Sequence, residues 1–363
     1  MILPTKRVLF LLSMLMYSVC LVSCKEDEAP PVKYDPTIYA FDSGAFPAPD
    51  FNGNTPTVAG VQLGRMLFYE RALSKDKTQS CADCHLQKDM FSDTRRFSIG
   101  VEGLPGKRQA MAVFNVAWHT EGMFWDGRAP LVRDQALKPI QDPLEMNETL
   151  PNAVSKLNAD QKYKDQFIRA FGDDTITPER IGLAIEQFEF TMISNNSRYD
   201  TWQKGEVTLT PEEERGRVLF FRERDPFLNQ KGGECFHCHA GFNFTNNEYM
   251  NNGLDEEADF SDLGRFMVTH HPEDRARFKV PSLRNIALTP PYMHDGRFST
   301  LEQVIEHYNT GVKNSSTVDG ILFHNLEPGG LQLNAQDITD LVAFLKTLTD
   351  TTFMTDQRFS SPF

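Results

Sequence analysis

Two Cys-X-X-Cys-His motifs, about 150 residues apart, constrain this chain of 363 residues more than any other feature. The motif residues are Cys81, Cys84 and His85 in the first and Cys235, Cys238 and His239 in the second. A zinc ribbon keeps its cysteine pairs within about 20 residues of each other. A disulfide across two residues is typical of a redox site and not of a structural clamp. The pattern therefore predicts two covalent c-type haems, with His85 and His239 as the proximal iron ligands.

The two motifs lie in halves of the chain that resemble each other. The paired segments are GRMLFY and GRVLFF (64–69 and 216–221) and WDGR and HDGR (125–128 and 294–297). A repeat of this length indicates a duplicated domain, because solenoid repeats are only 20–50 residues long. We therefore predict an N-terminal haem domain, 41–205, and a C-terminal haem domain, 206–363.

The N-terminus has the pattern of a bacterial lipoprotein signal peptide, 1–24. Two basic residues precede an apolar run, 8–22, which is shorter than the roughly 20 residues that a membrane-spanning helix needs. Leu-Val-Ser-Cys ends at Cys24, which we expect to carry a lipid and to anchor the protein in the periplasm or cell envelope. Cys20 and an ordinary signal peptide are the alternatives. The charged, proline-containing segment 25–40 is expected to be a tether.

The fold class expected from the sequence is mainly α. Thr177 and Thr210, each followed by proline, and Asn334 are placed to cap helices, and Glu213 completes a capping box with Thr210. The last of these helices should include the apolar residues up to Leu348. The sequence lacks the sustained alternation of apolar and polar residues that is typical of strands. Long loops near 86–110 and 240–280 are expected to surround the haems.

Four segments carry a family resemblance. The two motifs, FWDGRAPLVRDQALKPIQDPLEM (124–146) and FKVPSLRNIALTPPYMHDGRFSTLEQVIEHYNTG (278–311), resemble the bacterial dihaem cytochrome c peroxidases and the related MauG proteins. The resemblance extends from about residue 60 to 350. It implies two tandem cytochrome c-like domains, in which the N-terminal haem reduces hydrogen peroxide and the C-terminal haem supplies electrons.

The resemblance also implies a catalytic site on the first haem. Glu145 matches the family's catalytic glutamate, Gln135 the glutamine beside it, and Pro139 the distal proline. A carboxylate can take the proton from one peroxide oxygen and return it to the departing one. Trp125 matches the tryptophan between the haems, which is expected to relay electrons.

Two positions depart from the classical peroxidases. In many of these enzymes a histidine after Ser-Ile-Gly blocks the peroxidatic iron until the other haem is reduced, and Val101 stands there in this chain. Valine cannot bind iron, so we expect the first haem to be five-coordinate, with His119 as the one nearby alternative ligand. At the sixth-ligand position of the second haem, the usual methionine is replaced by Tyr308, as in MauG proteins. A phenolate should lower the haem potential.

Met293 and His307 remain alternative ligands of the second haem. The resemblance further implies a Ca²⁺ ion between the haems, held by carbonyls at Thr289 and Pro291 and by a side chain that is usually asparagine. Gln109 stands at that position, and its amide oxygen can also bind Ca²⁺ although its side chain is longer.

The sequence thus predicts a peroxidase that takes electrons from a small c-type cytochrome or similar donor. A MauG-like enzyme, which would oxidise a protein or organic substrate, and a dihaem electron carrier are the alternatives. The net charge of −13 favours a basic protein partner and argues against nucleic acid. Family peroxidases often form homodimers, but the sequence identifies no interface.

Overall fold

The structure is a computed structural model that describes residues 31–363 and is mainly helical, as predicted. Its α-helices are α1 (Val58–Phe68), α2 (Val132–Gln141), α3 (Leu150–Asn158), α4 (Gln161–Phe171), α5 (Pro178–Thr191), α6 (Arg198–Gln203), α7 (Pro211–Phe220), α8 (Phe266–Thr269), α9 (Leu301–Glu306), α10 (Phe323–Leu326) and α11 (Ala335–Lys346). Two short strands, β1 (Tyr249–Met250) and β2 (Phe278–Lys279), pair antiparallel. Between residues 31 and 363, none of the helices is long and apolar enough to cross a membrane. The predicted signal peptide, 1–24, lies outside the described residues.

The helix caps predicted from the sequence are confirmed. Thr177, Thr210 and Asn334 each accept a hydrogen bond from an amide in the first turn of α5, α7 and α11. Glu213 completes the capping box with Thr210, so amides that have no partner within the helix are satisfied. Helix α11 ends before Leu348, which is nevertheless fully buried just beyond it.

The helix that precedes each Cys-X-X-Cys-His motif crosses a later helix at very short range. A Cβ atom added at Gly64 of α1 would lie 1.8 Å from the carbonyl oxygen of Ala184 on α5. One added at Gly216 of α7 would lie 1.8 Å from the carbonyl oxygen of Asp340 on α11. Only glycine permits such an approach. The repeated Gly-Arg segments therefore mark the same helix contact in both halves of the chain.

Each of these helix pairs lies in its own apolar core. The first core includes Phe188 of α5, and the second includes Phe344 of α11. The C-terminal segment 353–359 packs into the first core, although it belongs to the predicted second domain. The described part of the predicted tether contacts the folded body, because the Asp35 amide donates to the Arg169 carbonyl.

Candidate active site

Both motif histidines are held in the same way by a backbone carbonyl. His85 Nδ1 lies 3.0 Å from the Phe91 oxygen, and His239 Nδ1 lies 3.1 Å from the Phe244 oxygen. Burial lowers the pKa of His239 to about 4, and it also lowers that of His85. Each ring is therefore neutral at neutral pH, with Nδ1 engaged and Nε2 available to bind a metal.

The cysteines of both motifs fit covalent haem attachment better than the alternatives. All four are free thiols, so neither motif contains a disulfide. Burial raises the pKa of Cys235 and of Cys238 to about 12. Within residues 31–363, no group of three or more His, Cys, Asp or Glu side chains could hold a metal ion, which leaves the zinc alternative without a ligand set. Free thiols beside an available imidazole are what c-type haem requires.

Each motif also borders its own cavity. The first cavity has a volume of about 870 Å³ and is lined by Cys84 and His85. The second cavity has a smaller volume, about 230 Å³, and is lined by Cys235, Cys238 and His239. Residues from the two predicted long loops line part of both cavities.

A single layer of residues separates the two cavities, and we call it the shared wall. The residues that line both cavities are Gln109, Met111, Ala112, His119, Trp125, Lys279 and His294. The Trp125 indole donates to the Gln109 carbonyl at 2.8 Å. The Lys279 amide donates to the Trp125 carbonyl at 2.7 Å, and the Gln109 amide donates to the His294 carbonyl at 2.8 Å. These bonds fix Trp125 at the position that an electron relay between the cavities would need.

The three residues expected on the distal side of the first haem all line the first cavity: Gln135, Pro139 and Glu145. Glu145 lies in the turn after α2, where the Met146 amide donates to the Pro139 carbonyl. Burial raises the pKa of Glu145 to about 7, the charge of Asp142 adds to the rise, and Arg128 partly opposes it. A carboxyl with this pKa can exchange a proton near neutral pH.

The Ser-Ile-Gly loop contacts this glutamate through its backbone. The Val101 amide donates to the Glu145 carbonyl at 2.8 Å. A Cβ atom at Gly100 would lie 2.2 Å from the Leu144 oxygen, so the loop can approach only because glycine stands there. Ser98 and Gly106 of the loop line the first cavity. The residue expected to leave the iron open thus also helps to position the expected proton carrier.

In the second cavity, two of the three alternative ligands lie side by side. The Asn252 amide nitrogen is 3.3 Å from the Tyr308 oxygen and 3.4 Å from the Met293 sulfur, and both side chains line the cavity. Tyr308 lies in a π-helical turn, His307–Gly311, that follows α9. Such turns are frequent at functional sites. His307 points elsewhere, because its Nε2 is 3.0 Å from the Asn252 carbonyl oxygen.

The sequence repeat places Pro139 and Tyr308 at equivalent positions. Pro139 follows Asp126 of WDGR by thirteen residues, and Tyr308 follows Asp295 of HDGR by thirteen residues. Each lines the cavity of its own half. The same position therefore holds a side chain without a ligand atom in the first cavity and a phenol in the second.

All three residues expected to bind Ca²⁺ line the second cavity: Gln109, Thr289 and Pro291. The Gln109 amide nitrogen donates to the Ser92 hydroxyl and to the Asp93 carbonyl, both at 3.2 Å. The side chain is thus fixed with its amide nitrogen engaged. The calcium site stays a prediction.

Two residues of these cavities were missed by the sequence reasoning. Lys279 is a charged residue inside the apolar segment 278–280, and that contrast could have identified it. Asn252 follows an ordinary polar stretch, so nothing in the sequence identifies it as a cavity residue.

Comparison with known proteins finds relatives that cover most of this chain. Residues 58–208 match the family model for di-haem cytochrome c peroxidase. Cytochrome c551 peroxidase of Nitrosomonas europaea is 36% identical over 299 residues, which cover 81% of this chain and 81% of that protein. The methylamine utilization protein MauG of Methylophilus methylotrophus is 31% identical over 306 residues, which cover 84% of this chain and 86% of that protein.

A solved structure is similar over nearly the same length. The crystal structure of a MauG-like protein associated with microbial copper homeostasis matches with a TM-score of 0.79 at 33% identity, and the match covers 89% of this chain and 99% of that one. Sequence and structure therefore agree on the same relatives, whose family implies two c-type haems. The chain belongs to the family of di-haem cytochrome c peroxidases and MauG proteins.

Proposed function

We propose that the protein reduces hydrogen peroxide to water with two electrons from a small c-type cytochrome or a similar carrier. The observation that carries this proposal is Glu145, a carboxyl in the first cavity whose pKa burial raises to about 7. A group with this pKa both accepts and returns a proton near neutral pH. The relative in Nitrosomonas europaea is named as a peroxidase, which supports peroxide as the electron acceptor.

In this proposal the haems, when bound, would supply the electrons and the iron chemistry for cleavage of the O–O bond, and the chain positions peroxide and moves its protons. Glu145 takes the proton from one peroxide oxygen and returns it to the other, which leaves as water. Two electrons and two protons from outside complete the conversion of one peroxide into two waters. Gln135 orients peroxide by hydrogen bonding, and Trp125 relays electrons across the shared wall.

The proposed ligands differ between the haems. His85 and His239 would bind the irons of two haems, one in each of two tandem cytochrome c-like domains, 41–205 and 206–363. Tyr308 would be a further ligand of the second haem iron, while Pro139 and Val101 would offer no ligand to the first. The first haem would then react with peroxide without prior reduction of the enzyme.

We also propose an envelope location and a structural ion for this enzyme. The lipid would be attached at Cys24, so the enzyme faces the periplasm or the cell surface. A Ca²⁺ ion would be held by Gln109, Thr289 and Pro291, whose place beside one cavity supports the proposal.

A MauG-like reaction is the second candidate, in which electrons come from a protein or organic substrate. The phenol of Tyr308 in the second cavity favours it, because a phenolate ligand stabilises oxidised iron. The MauG relatives support it as well.

Steady-state oxidation of reduced cytochrome c by peroxide tests the proposal. We expect rapid turnover by the wild-type protein and a loss of about 10²–10⁴-fold in Glu145→Gln, which keeps the shape but cannot accept the proton. Glu206→Gln changes an exposed carboxyl and should behave like the wild-type protein. Spectra that respond to peroxide without cytochrome turnover would favour the MauG-like reaction. Spectra that do not respond to peroxide at all would contradict both and leave an electron carrier.

A further inference from the structure

Lys279 carries a buried amine that has no hydrogen-bond partner among the described residues. Its side chain is 2% exposed, and its Nζ atom has no hydrogen-bond partner among residues 31–363. The Tyr249 ring centroid is 5.4 Å away. Burial lowers the pKa of Lys279 to about 8, the charge of Arg265 lowers it further, and the exposed Glu121 partly opposes the shift. A buried ammonium group without a hydrogen-bonded anion beside it is costly, so this position favours an additional negative partner.

A second buried nitrogen without a partner lies on the same wall. His119 Nε2 also has no hydrogen-bond partner within the described chain. Burial and the charge of Lys279 lower the pKa of His119 to about 3, so its ring is neutral and can offer one N–H donor. Lys279 and His119 both line both cavities. The shared wall thus contains a buried amine and a buried imidazole nitrogen, both without a hydrogen-bond partner among residues 31–363.

The equivalent position in the other half of the chain behaves differently. Gln109 lies six residues before Asn115, as Lys279 lies six residues before Asn285. The Gln109 amide nitrogen has partners in Ser92 and Asp93. The lack of a partner is therefore particular to Lys279 and does not follow from the repeated backbone.

We propose that Lys279 and His119 bind a haem propionate at the shared wall. Each c-type haem has two propionate carboxylates, and they lie on the edge of the ring opposite the thioether bonds. A carboxylate accepts hydrogen bonds from an ammonium and from a neutral imidazole N–H together, so one propionate satisfies both nitrogens. This inference rests on the haems and does not depend on peroxide reduction.

A positive charge next to a haem edge stabilises the reduced iron, so Lys279 should raise a haem reduction potential. Spectroelectrochemical titration of the intact dihaem protein measures this directly. In Lys279→Met we expect the midpoint potential of at least one haem to become more negative and to depend more strongly on pH, because the propionate loses its cation. Lys279→Arg keeps the charge and should stay near the wild-type value. Lys107→Met is the matched control, because Lys107 also lines the first cavity but is exposed.

Resonance Raman bands of the propionates provide a second measurement that does not depend on turnover. His119→Phe removes the donor and keeps the cation, so a propionate band should shift while both haems stay attached. Wild-type potentials in Lys279→Met together with unshifted propionate bands in both variants would overturn the proposal. If Lys279→Met fails to incorporate haem, the His119→Phe bands and the Lys279→Arg potentials decide alone. Peroxidase activity can fail in all of these proteins without affecting the result.

Discussion

Glu145 should set the acid limb of the pH profile for peroxide reduction. Its pKa is raised to about 7, so the carboxylate needed to accept a proton is lost as the pH falls below that value. We expect kcat/KM for peroxide to fall about tenfold per pH unit on the acid side. Initial rates of cytochrome c oxidation across neutral pH measure this limb.

Asp142→Asn tests the cause of the Glu145 shift. The negative charge of Asp142 adds to the rise in the pKa, so its removal should move the acid limb to lower pH. The asparagine keeps the side-chain oxygen that accepts from the Leu144 amide. If the acid limb of this variant lies at the same pH as in the wild-type protein, a group other than Glu145 controls the rate.

Tyr308 and Met293 can be separated by one pair of variants, although the Asn252 amide contacts both. If Tyr308 binds the second iron, Tyr308→Phe should change the low-spin EPR and optical signals of that haem. Met293→Leu should leave both signals as in the wild-type protein. The opposite pattern would assign the ligand to Met293. His307→Gln is a further control, because His307 is engaged with a backbone carbonyl.

At the scale of the helices, the close packing of each half depends on its own Gly-Arg helix contact. Gly216→Ala would place a methyl group 1.8 Å from the Asp340 oxygen, so α7 must move away from α11. Overpacking of this kind costs about 1–3 kcal/mol, which thermal unfolding of the holoprotein would detect as a lower Tm. Gly320→Ala is the control, because a Cβ atom at Gly320 has nothing within 4 Å. Equal Tm values for the two variants would show that the helices adjust without cost.

Some of these elements could be predicted from local sequence and others could not. Caps such as Thr210 depend on residues three positions apart, so local pattern was sufficient. The π-helical turn after α9 depends on contacts from distant chain, since the Leu331 amide donates to the Asn309 carbonyl and the Asn325 side chain donates to the Tyr308 carbonyl. The distal residues of the site came from family resemblance, whereas the missing hydrogen-bond partner of Lys279 depends on what surrounds it in the fold.

At the scale of the whole molecule, a duplicated backbone carries two different sites. The bonds across the shared wall pair equivalent positions of the two halves, since Gln109 donates to His294 and Lys279 donates to Trp125. Side chains at equivalent positions then differ in chemistry. The first cavity has a carboxyl of raised pKa, and the second has a buried phenol whose pKa burial also raises. The division of labour that we propose between the haems would follow from these differences without a change of fold.

This asymmetry predicts the EPR spectrum of the ferric protein as isolated. The first iron should be high-spin, because Pro139 and Val101 offer it no ligand, and the second should be low-spin with Tyr308 bound. We therefore expect one high-spin and one low-spin signal of similar weight at low temperature, and peroxide should react without prior reduction. Two low-spin signals would mean that a side chain occupies the open position, and His119 on the shared wall is the first candidate. His119→Phe would then restore the high-spin signal. In that case the enzyme would need prior reduction before it reacts with peroxide.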